Sequence, residues 1–370
     1  MGEVGEGQRR PRSWKAKVLL ALAATAAGLL VGEGALRLLG FEPRVVHITR
    51  RSAEIVRPPK EGRPPLYRPN ASFYEEWPSD PDKYFNDPRN RIVYRTNNAG
   101  FRGEDFSLVR DDRVRIAFLG DSFCWGHGVK DPDVFTVKVE EALRRSELFG
   151  GRFEVYNFGM GGYNTTMEVA LLEQVAVDYR PDVCVIWYFL NDATPESDLG
   201  TRRYLGGDDL FRSLRKHSLL LDLALAPIDA RINAPRLTAY YVNAYQDGSP
   251  GLDAAAAALA RFGQVCRDRG ILPVLAVHPI LVQLDAEYPF RFAHEKILVL
   301  ARQNGITAVD LLPYFLGRDG RTLWVHPSDQ HPNHLAHQIA ADNFSRDLLQ
   351  IMSANADAIL RSRDRKRSGP

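Results

Sequence analysis

The run Arg115-Ile116-Ala117-Phe118-Leu119 stops abruptly at Gly120-Asp121-Ser122, with Gly126 and Gly128 just beyond. A short apolar run bounded by glycine predicts a buried strand. Its end lifts a serine hydroxyl off the carboxyl edge of an open α/β sheet, where reacting groups gather. Such a hydroxyl becomes a nucleophile when an imidazole takes its proton and a carboxylate orients that imidazole. Ser328-Asp329-Gln330-His331-Pro332-Asn333, far down the chain, offers both groups. Asp329 and His331 are close enough for one short loop to hold them. Asn333, a good helix N-cap, precedes a helical pattern and fixes the backbone beside His331.

A nucleophile of this kind also needs donors for the oxyanion. Asn157-Phe158-Gly159-Met160-Gly161-Gly162-Tyr163-Asn164 follows a strand-like run, and its glycines let a backbone N–H approach a substrate closely. Asn191-Asp192 follows the apolar run Val183–Leu190. An asparagine amide aimed at a developing oxyanion lowers the barrier by roughly 3 kcal/mol in measured cases.

Taken together these residues resemble the SGNH (GDSL-type) hydrolases over roughly residues 112–350. The resemblance implies Ser122 as nucleophile and first oxyanion N–H, Gly162 and Asn191 as the second and third oxyanion donors, His331 as base and Asp329 as its orienter. Two departures stand out. Phe189 occupies the place two before Asn191 where the family usually has glycine, which narrows or repacks the acyl pocket. Ser328 occupies the usual place of the acid, three before the histidine, while Asp329 is two before. Some membrane-associated relatives look like this two-residue version.

The elements that must position these residues follow from Arg113 onward. Strands are predicted at Val114–Leu119, Phe153–Phe158, Val183–Tyr188, Ile271–Val277 and Thr307–Asp310. Helices are predicted at Asp133–Arg145, Asn164–Tyr179, Leu252–Arg269, Arg291–Asn304 and Asn333–Met352. Alternation of apolar strands with helices implies a parallel sheet covered on both faces. The expected fold is therefore a flavodoxin-like three-layer α/β/α domain of about five parallel strands. Residues 111–352 make the catalytic domain, and 193–250 interrupt it as a cap or specificity insertion, with His217–Ala226 as an amphipathic lid helix.

Before that domain lie two further segments. Arg9, Arg10, Arg12, Lys15 and Lys17 form a basic cytoplasmic N-terminus over residues 1–17. Val18–Leu39 reads as a transmembrane anchor, with Glu33 and Arg37 four apart and able to pair near one end. The basic flank predicts an inner-membrane protein whose remainder faces the periplasm. A cleaved signal peptide is the rival reading. Residues 40–110 are a proline- and aromatic-rich collar. Its most structured stretch, Asn97–Gly103, either borders the site or covers the sheet. Residues 353–370 read as a basic disordered tail.

Composition fits an enzyme domain: 370 residues, 45% apolar, 25% charged, and a net charge of +2 that gives no reason to expect nucleic acid. Cys124, Cys184 and Cys266 form no metal or disulfide pattern. His331, His334 and His337 drift around a helix and find no zinc-type partners, so neither metal nor cofactor is expected. Asp121, Asp192 and Asn157 read as braces of their turns, and His127 and His278 as loop histidines outside the chemistry. The resulting expectation is a serine esterase acting on a small-molecule or carbohydrate ester. An O-acyltransferase using the same residues is the nearest alternative, and a non-catalytic glycan-binding protein the next.

Overall fold

The computed structural model describes residues 13–41, 56–57, 64–77, 79–193, 214–215, 217–327 and 329–368. Contacts divide the chain into two units, residues 46–206 with 232–370, and residues 1–45 with 207–231.

The larger unit is built on five parallel strands: β3 (Val114–Gly120), β4 (Phe153–Gly159), β5 (Val183–Tyr188), β6 (Leu272–Val277) and β7 (Thr307–Asp310), in the order β4-β3-β5-β6-β7. This is the flavodoxin-like order that the alternating pattern predicts. Every residue of β3 and β5 is buried, because helices cover both faces. On one side α3 (Phe135–Arg144) packs with the helix His334–Ala354. On the other α4 (Thr165–Gln174) packs with Pro250–Arg269. Local chemistry sets these helix ends. Ser249 caps Pro250–Arg269, proline stands at its first turn, and Gly270 closes it at φ +60°. The chain turns from β3 to β4 on one side and to β5 on the other. The carboxyl ends of β3 and β5 therefore flank the switch point, where ligands bind in open sheets of this type.

The collar contributes an antiparallel ribbon, β1 (Ser72–Glu76) with β2 (Arg91–Arg95). Its aromatic residues are what hold it down. Phe73 and Tyr67 lie 6.0 and 4.9 Å from Trp125, ring to ring, and Phe101 packs on Phe158 at 4.9 Å. Asn97 shapes the following turn by accepting from the backbone of Ala99 and Phe101. Arg102, 2% exposed, donates to the carbonyls of Trp125, Gly126 and Val129, just past Ser122.

The final hairpin pairs β8 (Trp324–His326) with β9 (Asp329–Pro332), where a loop was expected to carry Asp329 and His331. Residues 353–370 also differ from expectation. Ala356–Ser368 is a helix, with Ile359 and Ser362 buried. The Lys366 ammonium donates to the Pro181 carbonyl at 2.5 Å and lies 3.7 Å from the Asp182 carboxylate. One face of this basic segment thus finds apolar and acidic partners, which composition alone does not reveal.

In the smaller unit, α1 (Trp14–Leu38) buries none of its residues and is long and apolar enough to cross a membrane. Glu33 and Arg37 pair at 2.8 Å. The Glu33 carboxylate also accepts the backbone N–H groups of Leu219 and Leu220, the first of the helix Leu219–Ala244. The expected lid helix His217–Ala226 is the start of this longer helix. Residues 194–213 of the insertion lie outside the described residues.

Candidate active site

Ser122 opens α2 (Ser122–Trp125), a single turn set on the end of β3. Asp121 caps it by accepting the Phe123 N–H at 2.8 Å, and Gly126 ends it in the left-handed region at φ +81°. Two glycines let this turn sit so close to the sheet. A Cβ at Gly120 would stand 2.5 Å from Cys124 Cβ, and one at Gly159 would stand 2.3 Å from the Trp125 backbone nitrogen. Asn157 locks the two strand ends together, accepting the Gly159 N–H at 2.8 Å and donating to the Cys124 carbonyl at 2.9 Å.

The structure brings the two distant segments together. His331 Nε2 lies 2.9 Å from Ser122 Oγ, and His331 Nδ1 lies 2.5 Å from Asp329 Oδ1. Asn333 caps the following helix by accepting from Leu335 and Ala336, which fixes the strand carrying His331. Asp329 is buried. Burial works to raise its pKa, but the imidazoles of His331 and His127 outweigh it and hold the carboxyl well below the usual range. It therefore stays an ionised acceptor for the imidazole. Chemically, the arrangement can draw a proton from Ser122 as its oxygen attacks a carbonyl.

Three residues that sequence reasoning missed stand behind Asp329. Trp77 Nε1 donates to Asp329 Oδ2 at 3.0 Å, and His127 Nε2 donates to the same oxygen at 3.1 Å. The other ring nitrogen of His127 lies 2.9 Å from Glu75 Oε2, which also accepts the Tyr94 hydroxyl at 2.9 Å. His127, Asp329 and His331 thus place metal-ligand-type atoms within 4.8 Å of one another. The two imidazole nitrogens each face an Asp329 oxygen, so N–H···O pairing accounts for that closeness.

The other expected donors sit at the neighbouring strand ends. Asn191 follows β5, and its amide donates to Asp121 Oδ2 at 2.9 Å, which sets the orientation of the amide beside Ser122. Gly162 lies in the turn between β4 and α4 at φ +84°, with nothing within 4 Å of where a Cβ would be. Asp192 braces its own loop by accepting the Phe189 N–H at 2.9 Å. Phe189 stacks on Phe123 with ring centres 3.8 Å apart. Trp125 packs under the collar, and the Tyr163 hydroxyl donates to the Pro65 carbonyl at 2.6 Å.

Asp121, Glu168 and Asp192 form a second, buried acidic group. Burial raises all three pKa values, those of Glu168 and Asp192 well above the usual carboxylate value, with the Asp121 charge adding to the rise at both and Glu168 adding to it at Asp192. Burial likewise pushes the Cys124 thiol well up, away from thiolate chemistry. His278 is pulled down to about 3 by burial, so it is neutral and hydrogen-bonds the Pro279 carbonyl at 2.8 Å. His337 is buried and neutral too, accepting the Phe135 N–H at 3.1 Å.

A flavodoxin-like sheet with a serine, an imidazole and a carboxylate at its switch point has the form of an ester hydrolase. Residues 118–339 match the GDSL-like lipase/acylhydrolase family, and the chain belongs to it. No curated protein matches the chain. Among solved structures it is similar to TesA (16% identity, 64% of this chain and 99% of that one, TM-score 0.42). It is also similar to a catalytic mutant of Axe2, an acetylxylan esterase from Geobacillus stearothermophilus (17%, 65% and 95%, TM-score 0.39). A third is a two-domain esterase active on acetylated mannans (18%, 65% and 50%, TM-score 0.37).

Proposed function

We propose that this ester hydrolase works through a covalent ester on Ser122 and removes a small acyl group from an envelope carbohydrate or a similar ester. The carrying observation is the unbroken hydrogen-bond chain from Ser122 Oγ through His331 to Asp329, at 2.9 and 2.5 Å. His331 takes the serine proton as Oγ attacks the ester carbonyl, then gives that proton to the leaving alcohol. Water repeats the cycle in reverse and releases the acid. The N–H groups of Ser122 and Gly162 and the amide of Asn191 hold the oxyanion.

The small acyl group rests on Phe189. Its ring stacks on Phe123, beside the nucleophile, where the family pattern leaves room with glycine. The envelope setting rests on Trp14–Leu38 as a membrane anchor, preceded by a basic segment that orients the remainder outward. A fluorophosphonate probe should label Ser122 in the folded protein, and Ser122→Ala should lower ester turnover by about 10⁴-fold or more. Retained turnover in that variant, with contaminants excluded, overturns the assignment. Adding an acetylated donor with an oligosaccharide acceptor separates water from a sugar hydroxyl as the second substrate: acylated sugar makes the protein a transferase.

A further inference from the structure

We propose that His127 is a positioning residue of the Ser122–His331–Asp329 centre: a buried imidazolium, held by Glu75 of the collar, that pins Asp329 and offsets its charge. The inference rests on the serine-esterase reading above and extends it to a residue outside the expected triad.

The geometry carries it. Asp329 has donors on both oxygens. Oδ1 takes the His331 Nδ1 proton at 2.5 Å and the His331 backbone N–H at 3.2 Å. Oδ2 takes Trp77 Nε1 at 3.0 Å and His127 Nε2 at 3.1 Å. A carboxylate held on both oxygens cannot swing away from the base it orients. His127 lies between two carboxylates, because its Nδ1 faces Glu75 Oε2 at 2.9 Å while its Nε2 faces Asp329. To donate at both nitrogens the ring must be the cation. Burial opposes that charge, but Glu75 and Asp329 outweigh it and push the imidazole up to about 10.

Among the described residues, the groups facing this cluster come from three elements and the Arg102 side chain. From β1 comes Glu75, and from β2 the Tyr94 hydroxyl, which donates to Glu75 and accepts the Gly128 N–H at 2.7 Å. Burial holds that phenol protonated. Arg102 lies over the Tyr94 ring at 4.9 Å, bound to the backbone carbonyls of the same loop. From β9 come Asp329 and His331, whose ring centre is 4.1 Å from that of His127.

The charge count explains the role. With His127 charged, Glu75, His127 and Asp329 together present one net negative charge to His331, enough to balance the imidazolium formed when Ser122 loses its proton. Without the His127 charge, nothing between Glu75 and the Asp329–His331 pair offsets the second carboxylate.

His127→Gln keeps an amide donor for Asp329 and removes only the cation. The acidic limb of its kcat/KM profile should move to higher pH by about one to three units, the range a lost charge at this distance gives between water-like and protein-like screening. In parallel, imidazole ¹⁵N shifts of the intact protein should report a protonated His127 at pH 8, a measurement that needs no variant to fold. A His127→Gln profile superimposed on the parent's, or a neutral His127 at pH 8, overturns the proposal. Ser122→Ala run alongside separates the two readings. If that variant is dead while the His127→Gln profile is unmoved, the esterase reading survives and this inference falls. If it stays active, the esterase reading itself falls.

Discussion

Asp329 and Asp121 are both buried carboxyls beside the Ser122–His331 pair, one on the imidazole and one on the serine, and their surroundings push them in opposite directions. Asp329 faces two imidazoles and an indole N–H, and its pKa is driven well down. Asp121 shares its pocket with Glu168 and Asp192 and has an amide and a backbone N–H as donors, and its pKa rises. Burial is the same in the two places. What differs is whether a cation has been built into the cluster. The collar supplies the counter-ion that keeps His127 charged on one side. On the other, neither Glu168 oxygen has a hydrogen-bond partner among the described residues.

The largest expected effect comes from breaking the charged side. Asp329→Asn removes the acceptor that fixes the His331 ring and leaves the His127 cation facing an amide. Turnover should fall about 10³- to 10⁴-fold, with KM changed far less, as steady-state kinetics would show. Asn191→Ala acts where the second cluster meets the site. It takes an oxyanion donor from the substrate and a hydrogen bond from Asp121, and should lower kcat roughly 100-fold. A KM effect alone would mean that the amide serves binding rather than the transition state.

The smallest effect belongs to Glu168→Gln and reads in stability. A carboxyl whose folded pKa is raised contributes stability that is full below its ordinary pKa and lost as pH rises through the raised value. The amide removes that loss, so Tm should rise by a few degrees, on the order of 2–4 °C, at pH 8 and change little at pH 4. His127 has the same sign on a different window: its stabilisation is complete below about 6.5 and declines through about 10. A wild-type Tm that is flat from pH 8 to 11 would mean that His127 is not charged in the fold.

Much of this was legible in the sequence because the signals are local. The apolar runs ending at Gly120, Gly159 and Tyr188 announce parallel strands buried on both faces, and Gly120-Asp121-Ser122 announces the turn that presents the serine. Asp329 and His331 are two apart, so their partnership can be read without any fold. The support behind Asp329 is different in kind. Glu75, Trp77 and His127 lie on three segments with no shared pattern, and a single loop histidine between glycines carries no mark of the carboxylates that will flank it. The packing of Trp125 and Tyr163 on the collar is hidden in the same way, since the residues they meet lie in a distant segment. The C-terminal helix was hidden by its own arginines and lysines, since only the fold supplies Asp182 and the surface that receives Ile359.

The bond between Trp77 and Asp329 spans 252 residues. During synthesis the collar and Ser122 emerge well before the hairpin bearing Asp329 and His331, so a nascent chain holds its serine with no imidazole beside it. A chain interrupted before Asp329 carries Ser122 with no imidazole to take its proton.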